Sequence, residues 1–129
     1  MSQYIVLDLE MCTVHHEVYN EDALNHEIVQ IGAVKLNESY DIIDKFMTYV
    51  SPEYGHIDKY INQLTGISDL ELLNAPKLID AFDLFIEWIN KESIIVTWSE
   101  NDEKQIREEL TKNKNAGKDI ERTAICKNA

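Results

Sequence analysis

Asp8 and Glu10 stand two residues apart in Tyr4-Ile5-Val6-Leu7-Asp8-Leu9-Glu10, a stretch otherwise apolar enough to be a buried strand. Side chains alternate along a strand, so Tyr4, Val6, Asp8 and Glu10 share one face and Ile5, Leu7 and Leu9 the other. That spacing sets two carboxylates roughly 6.6 Å apart, where like charges raise each other's pKa. A divalent cation removes the penalty. Mg²⁺ and Mn²⁺ prefer oxygen ligands, and two such ions held ~3.5–4 Å apart are a known device for in-line attack on phosphodiesters. The same two acids would equally suit a strand that ends in solvent, so the pair alone leaves both readings open.

The rest of the chain must hold those acids in place. With 129 residues, 44% of them hydrophobic, the sequence is expected to form a single domain over 1–129 with one full core. Its two cysteines, Cys12 and Cys126, come without a secretory leader or an apolar run of membrane length. This points to a reducing, cytoplasmic setting, no required disulfide and no membrane partner. A net charge of −12 opposes broad, unspecific binding to a phosphate backbone. It does not oppose an enzyme that grips one strand end, because bound cations reverse the local field. An acidic mimic of nucleic acid would rest on net charge alone, and such a balance is more often a solvated surface.

The stretch from Cys12 to His26 is polar and irregular and reads as a loop; His15, His16 and Cys12 match no usual four-ligand zinc spacing. Glu27 to Leu36 reads as a second strand, in which Gly32 suggests close approach of another backbone or a ligand. Asn37 to Asp41 supplies turn chemistry before a third strand, Ile42 to Val50, so these two should form an antiparallel hairpin. Ile57, Tyr60, Ile61 and Leu64 recur at helical spacing up to a stop at Gly66, and a second short helix is expected from Asp69 to Asn74. Pro76 suits the first turn of a longer helix with Leu78, Phe82, Phe85, Ile86 and Ile89 as its apolar stripe. Those aromatic residues read as core packing and not as a base-stacking platform. Ser93 to Trp98 is a fourth strand, apolar enough to lie inside a sheet covered on both faces. A helix over about Asn101 to Lys114 follows, with Ile106 and Leu110 as a narrow stripe, then a polar loop from Asn113 to Lys118.

Asp102 stands where the fourth strand gives way to that helix. Ser99-Glu100-Asn101-Asp102 has the form of a capping box, which by itself accounts for an acid there. The order of the segments adds a further reading. Tyr4 to Glu10, Glu27-Ile-Val-Gln-Ile-Gly-Ala, Leu64-Thr65-Gly66-Ile67, Ala75-Pro76 and Ile95-Val96-Thr97-Trp98-Ser-Glu-Asn-Asp102 together resemble the DEDD superfamily of 3′→5′ exonucleases, the DEDDh or DnaQ-like group. The Leu-Thr-Gly-Ile segment and the Trp-x-x-x-Asp motif are similar to its exoribonuclease branch.

The resemblance implies a ribonuclease H-like α/β fold: a mixed central sheet, first three strands antiparallel, fourth parallel to the first, flanked by helices. It also implies that Asp8, Glu10 and Asp102 are catalytic metal ligands, Asp8 bridging two Mg²⁺ or Mn²⁺ ions. Backbone near Met11 and Cys12 would meet the terminal nucleotide, with Leu64, Thr65 and Ile67 packing against its base and sugar. The substrate implied is a single-stranded RNA or DNA 3′ end, RNA ahead of DNA.

One motif of the family is absent. A histidine general base with an aspartate five residues later is expected near the C-terminus, yet no histidine follows His56, and neither Asp119 nor Glu121 has a suitable neighbour. The domain is therefore expected to be C-terminally incomplete, with impaired activity in this 129-residue form and an uncovered apolar face that favours a homo-oligomer. The alternative is a non-catalytic module that keeps the fold and binds nucleic acid or protein.

Overall fold

The computed structural model describes residues 3–14, 25–97 and 100–112. Most of the loop read between Cys12 and His26, together with Trp98, Ser99 and everything after Lys112, including Asp119 and Glu121, lies outside the described residues.

β1 (Tyr4–Thr13) is flanked by β2 (His26–Leu36) and β4 (Ile94–Thr97), and β3 (Ile42–Tyr49) pairs with the far side of β2. The order β3-β2-β1-β4 has antiparallel pairs β1/β2 and β2/β3 and a parallel pair β1/β4. This is the expected mixed sheet. The alternation read from the sequence holds along β1, where Ile5, Leu7 and Leu9 are buried and Asp8 is exposed. β4 differs from expectation: it is an edge strand among the described residues, and its burial alternates, with Ile94 45% exposed. One covered face is sufficient for so short a strand.

The helices are α1 (Lys59–Thr65), α2 (Asp69–Leu72), α3 (Leu78–Ile89) and α4 (Glu100–Lys112). α3 buries Leu78, Ala81, Phe82, Phe85 and Ile89 against the sheet, and Ile106 and Leu110 of α4 join the same core. Pro76 lies outside α3, whose N-cap is Lys77, so the proline ends the preceding turn and does not open the helix. A smaller core of Cys12, Val29, Ile57, Ile67 and Leu72 fills the space under α1 and α2. α1 itself buries no residue, leaving Tyr60 and Leu64 about two-thirds exposed at 68% and 66%. Its periodicity thus marks a helix without marking a core.

Two polar ties fix the sheet's neighbours. The Gln3 amide donates to the Ile89 carbonyl at 2.9 Å and to Ser93 Oγ at 2.8 Å, which sets β4 alongside the start of β1. Lys35 Nζ donates to the Trp88 carbonyl at 2.7 Å and lies over that indole ring, while Trp88 Nε1 donates to Asp44. The end of α3 is thereby held to the β2/β3 hairpin.

Candidate active site

β1 carries Asp8 and Glu10 to the face opposite the main core. Gly32 is the partner of Asp8 in β2, and Gln30 the partner of Glu10. A Cβ added at Gly32 would lie 3.7 Å from the Asp8 carbonyl oxygen, an ordinary contact, so the close backbone approach expected there is absent. What Gly32 provides instead is a bare patch of sheet beside the Asp8 side chain. After Glu10 the ladder slips: Met11 pairs with Ile28, leaving Val29 as an extra residue in β2. A bulge at this point adds local twist just past the second carboxylate, a common device beside active sites.

Asp102 arrives from the first turn of α4 and is 9% exposed. Burial raises its pKa, and the Asp8 charge raises it further. Burial raises the Glu10 pKa too, followed by the charges of Asp8 and then Asp102. The Asp8 charge thus acts on both Glu10 and Asp102, although Asp102 lies more than ninety residues along the chain from the strand pair. Asp102 is not on the far side of the molecule; folding gathers it with the strand pair.

In kind, three hard carboxylate oxygens that repel one another suit Mg²⁺ or Mn²⁺. Among the described residues no three His, Cys, Asp or Glu side chains already stand at ligation geometry. The acids are neighbours in the field but not yet a closed cage, and they would have to draw together on binding.

The expected substrate-side residues divide into two groups. Met11 is half-buried against the main core, and Cys12 is fully buried. Burial, then the Glu27 charge, push the Cys12 thiol up to about 12, so it is no nucleophile and offers only its backbone. Leu64 is 66% exposed, whereas Ile67 is 3% exposed in the smaller core. Thr65 builds the link between them: its hydroxyl donates to the Ile61 carbonyl at 2.8 Å and accepts from the Ile67 N–H at 3.1 Å. Gly66 ends α1 at φ 80°, a conformation that favours glycine.

Two acids that shape the site are invisible to apolar periodicity. Glu27 accepts from the N–H groups of Glu53, Tyr54 and Gly55 at 2.6–2.8 Å, which folds the chain after β3 back onto the end of β1. Glu109 is 6% exposed and accepts from the Ile28 N–H and the Gln105 amide, both at 2.8 Å. Counting Glu109 with Asp102, Ile106 and Leu110 as one helical stripe would have found it.

The family model described as Exonuclease, of RNase T type, matches residues 5–123. The chain is 30% identical over 99 residues to a DNA polymerase III PolC-type protein of Caldanaerobacter subterraneus subsp. tengcongensis, covering 77% of this chain and 6% of that protein. It is 27% identical over 123 residues to the DNA polymerase III subunit epsilon of Aquifex aeolicus, covering 95% of this chain and 55% of that protein. The chain thus spans a small part of the PolC-type proteins and about half of that epsilon subunit. Among solved structures, the nuclease domain of 3′hExo, a DEDDh family member bound to rAMP, matches with a TM-score of 0.73 and 22% identity, over 87% of this chain and 60% of that one. E. coli Exonuclease I in complex with a dT13 oligonucleotide matches with a TM-score of 0.63 and 17% identity, over 83% and 23%. These two likenesses identify the fold as the ribonuclease H-like fold of such exonucleases.

Proposed function

The chain belongs to the RNase T family of exonucleases within the DEDD superfamily, a 3′→5′ exonuclease lineage, and from that premise we propose that it is a metal-dependent domain hydrolysing the terminal phosphodiester of single-stranded nucleic acid. The observation that carries this reading is the shared field of Asp8, Glu10 and Asp102, in which burial and like charge raise the pKa values of Glu10 and Asp102. Asp8, Glu10 and Asp102 would hold the Mg²⁺ or Mn²⁺ ions. When bound, the ions supply Lewis acidity for the attacking water and for the departing 3′ oxygen. The protein's own part is to hold three oxygens on two rigid elements, β1 and α4, and to present the exposed Leu64, Thr65 and the backbone of Met11 and Cys12 to the terminal nucleotide.

The curated relatives are DNA polymerase III components, which supports a DNA 3′ end as substrate. An RNA end, the expectation from Leu64 to Ile67, rests on resemblance to the exoribonuclease branch. Because no histidine follows His56, a general base of the family's kind is missing from this 129-residue form. We expect its rate to be ~10²–10⁴ below that of a domain carrying one. Cytoplasmic location and self-association belong to the same proposal. No helix among the described residues is long and apolar enough to cross a membrane, and β3 exposes Ile42, Ile43 and Met47 at a sheet edge.

The test is release of mononucleotides from 3′-labelled single-stranded DNA and RNA with Mn²⁺, with EDTA and with Asp8→Ala. Nucleotide release that requires Mn²⁺ and Asp8 supports the reading. Binding of either strand that is indifferent to metal and to Asp8→Ala, with no release, would leave the non-catalytic module standing in its place.

A further inference from the structure

Glu109 is a buried carboxylate that the proposed chemistry does not touch. It lies seven residues beyond Asp102 on α4, which on a regular helix is about 20° around the axis and about 10.5 Å along it. The two acids therefore share one stripe with Ile106 and Leu110, and all four are buried.

The hydrogen bonds of Glu109 are specific. Its Oε2 accepts the N–H of Ile28, the β2 residue that faces Met11 immediately beyond the register slip after Glu10. The same oxygen accepts from Gln105 Nε2, which also donates to the His26 carbonyl at 2.8 Å. Two residues one turn apart thus tie α4 to the start of β2, beside the bulge that borders Glu10.

Resting on the metal-site reading above, we propose that Glu109 is a positioning residue: by joining α4 to the β2 bulge it fixes the rotation of the helix that brings Asp102 to Asp8 and Glu10. A helix held only by Ile106 and Leu110 could roll on apolar contacts, which are not directional. The hydrogen bonds to Ile28 and His26 are directional, and they set the azimuth that Asp102 shares. Glu109 touches no metal ligand, so its loss should weaken metal affinity by less than the ~10–100-fold typical of groups hydrogen-bonded directly to one.

The experiment is calorimetric titration of the full chain with Mn²⁺, beside its thermal unfolding curve. Glu109→Gln keeps an oxygen able to accept from both Ile28 and Gln105, whereas Glu109→Leu fills the space and accepts nothing. The expected result is Mn²⁺ affinity close to wild type in Glu109→Gln and up to ~10-fold weaker in Glu109→Leu, with Asp102→Ala as the reference for a lost ligand. Equal affinity in folded Glu109→Leu and wild type overturns the proposal. Should Glu109→Leu not fold, Gln105→Met, which removes the tie to His26 and one bond to Glu109, is read the same way: a measurable loss of affinity supports it, and unchanged affinity overturns it. Wild-type chain that takes up Mn²⁺ but releases no nucleotide defeats the exonuclease reading alone. Wild-type chain with no Mn²⁺ response at all defeats both.

Discussion

Burial, and after it the charge of Asp8 on β1, raise the pKa of Asp102 on α4, so two acids far apart in the chain are held within reach of each other's charge. Such repulsion destabilises the fold unless something is bound between them. Removing one charge should therefore lower the pKa values of both neighbours. In Asp8→Asn, the carboxyl resonances of Glu10 and Asp102 are expected to titrate at lower pH than in wild type, followed by carbon-detected NMR. The apo protein should also gain stability in urea. Titration curves for Asp102 that coincide in the two proteins would show that the acids do not share a field.

The same repulsion makes metal a ligand of the native state only. Mn²⁺ at about 100 times its dissociation constant should stabilise the wild-type chain by ~2.7 kcal/mol. Asp8→Ala and Asp102→Ala should lose most of that gain while unfolding normally without metal. Differential scanning calorimetry with and without Mn²⁺ provides the measurement. An equal rise in the midpoint for all three proteins would place the cation elsewhere.

The strand pair was legible in the sequence because a period of two is hard to disguise: two acids interrupt an apolar strand on one face, and the structure keeps them there. The hairpin and the helix stop at Gly66 were legible for similar local reasons, whereas the parallel β1/β4 pair was implied by the family resemblance and by nothing local. Where the reading missed, tertiary context decided. Tyr60 and Leu64 have core periodicity but stay exposed among the described residues, and Ile67, one residue past the turn, takes the buried place instead. The N-cap of α3 is Lys77, which makes no side-chain cap hydrogen bond, so no capping residue marks the true start of the helix at Leu78. Glu109 occupies a core position with a carboxylate, and nothing local announces that Ile28 will lend it an N–H.

Glu109 also gives the fold a dependence on pH. Burial is the leading cause lifting its carboxyl from an ordinary 4.5 to about 7, with the Gln105 and Ile28 donors opposing and the charges of Glu27 and Glu108 adding to the rise. Cys12 of β1 also faces it, as an uncharged thiol at these pH values. A folded-state pKa above the unfolded one means the native state binds the proton more tightly. Its contribution to stability is then full below about 4.5 and lost as pH rises through about 7. For this one group the span amounts to about 3 kcal/mol at most. Glu109→Gln should remove that component, so its advantage over wild type in urea unfolding is expected to be larger at pH 8 than at pH 5. A difference between the two proteins that stays constant across that range would contradict the assignment.

Gly55 is constrained by space and not by its backbone angle. A Cβ there would come within 2.5 Å of Cys12 Sγ and 3.1 Å of the Thr13 carbonyl oxygen, while the Gly55 N–H donates to Glu27 at 2.6 Å. The residue is wedged between the buried end of β1 and the carboxylate that anchors the turn. Gly55→Ala is expected to cost ~1–3 kcal/mol through overpacking. Since Cys12 Sγ is the closest atom, Cys12→Ala should recover part of that loss, and the double mutant should be more stable than the sum of the two single changes predicts. Strictly additive free energies from urea unfolding of the four proteins would mean that the chain after β3 can shift away from Cys12 without cost. The packing of this turn would then not be what holds the end of β1, and with it the backbone beside Glu10, in place.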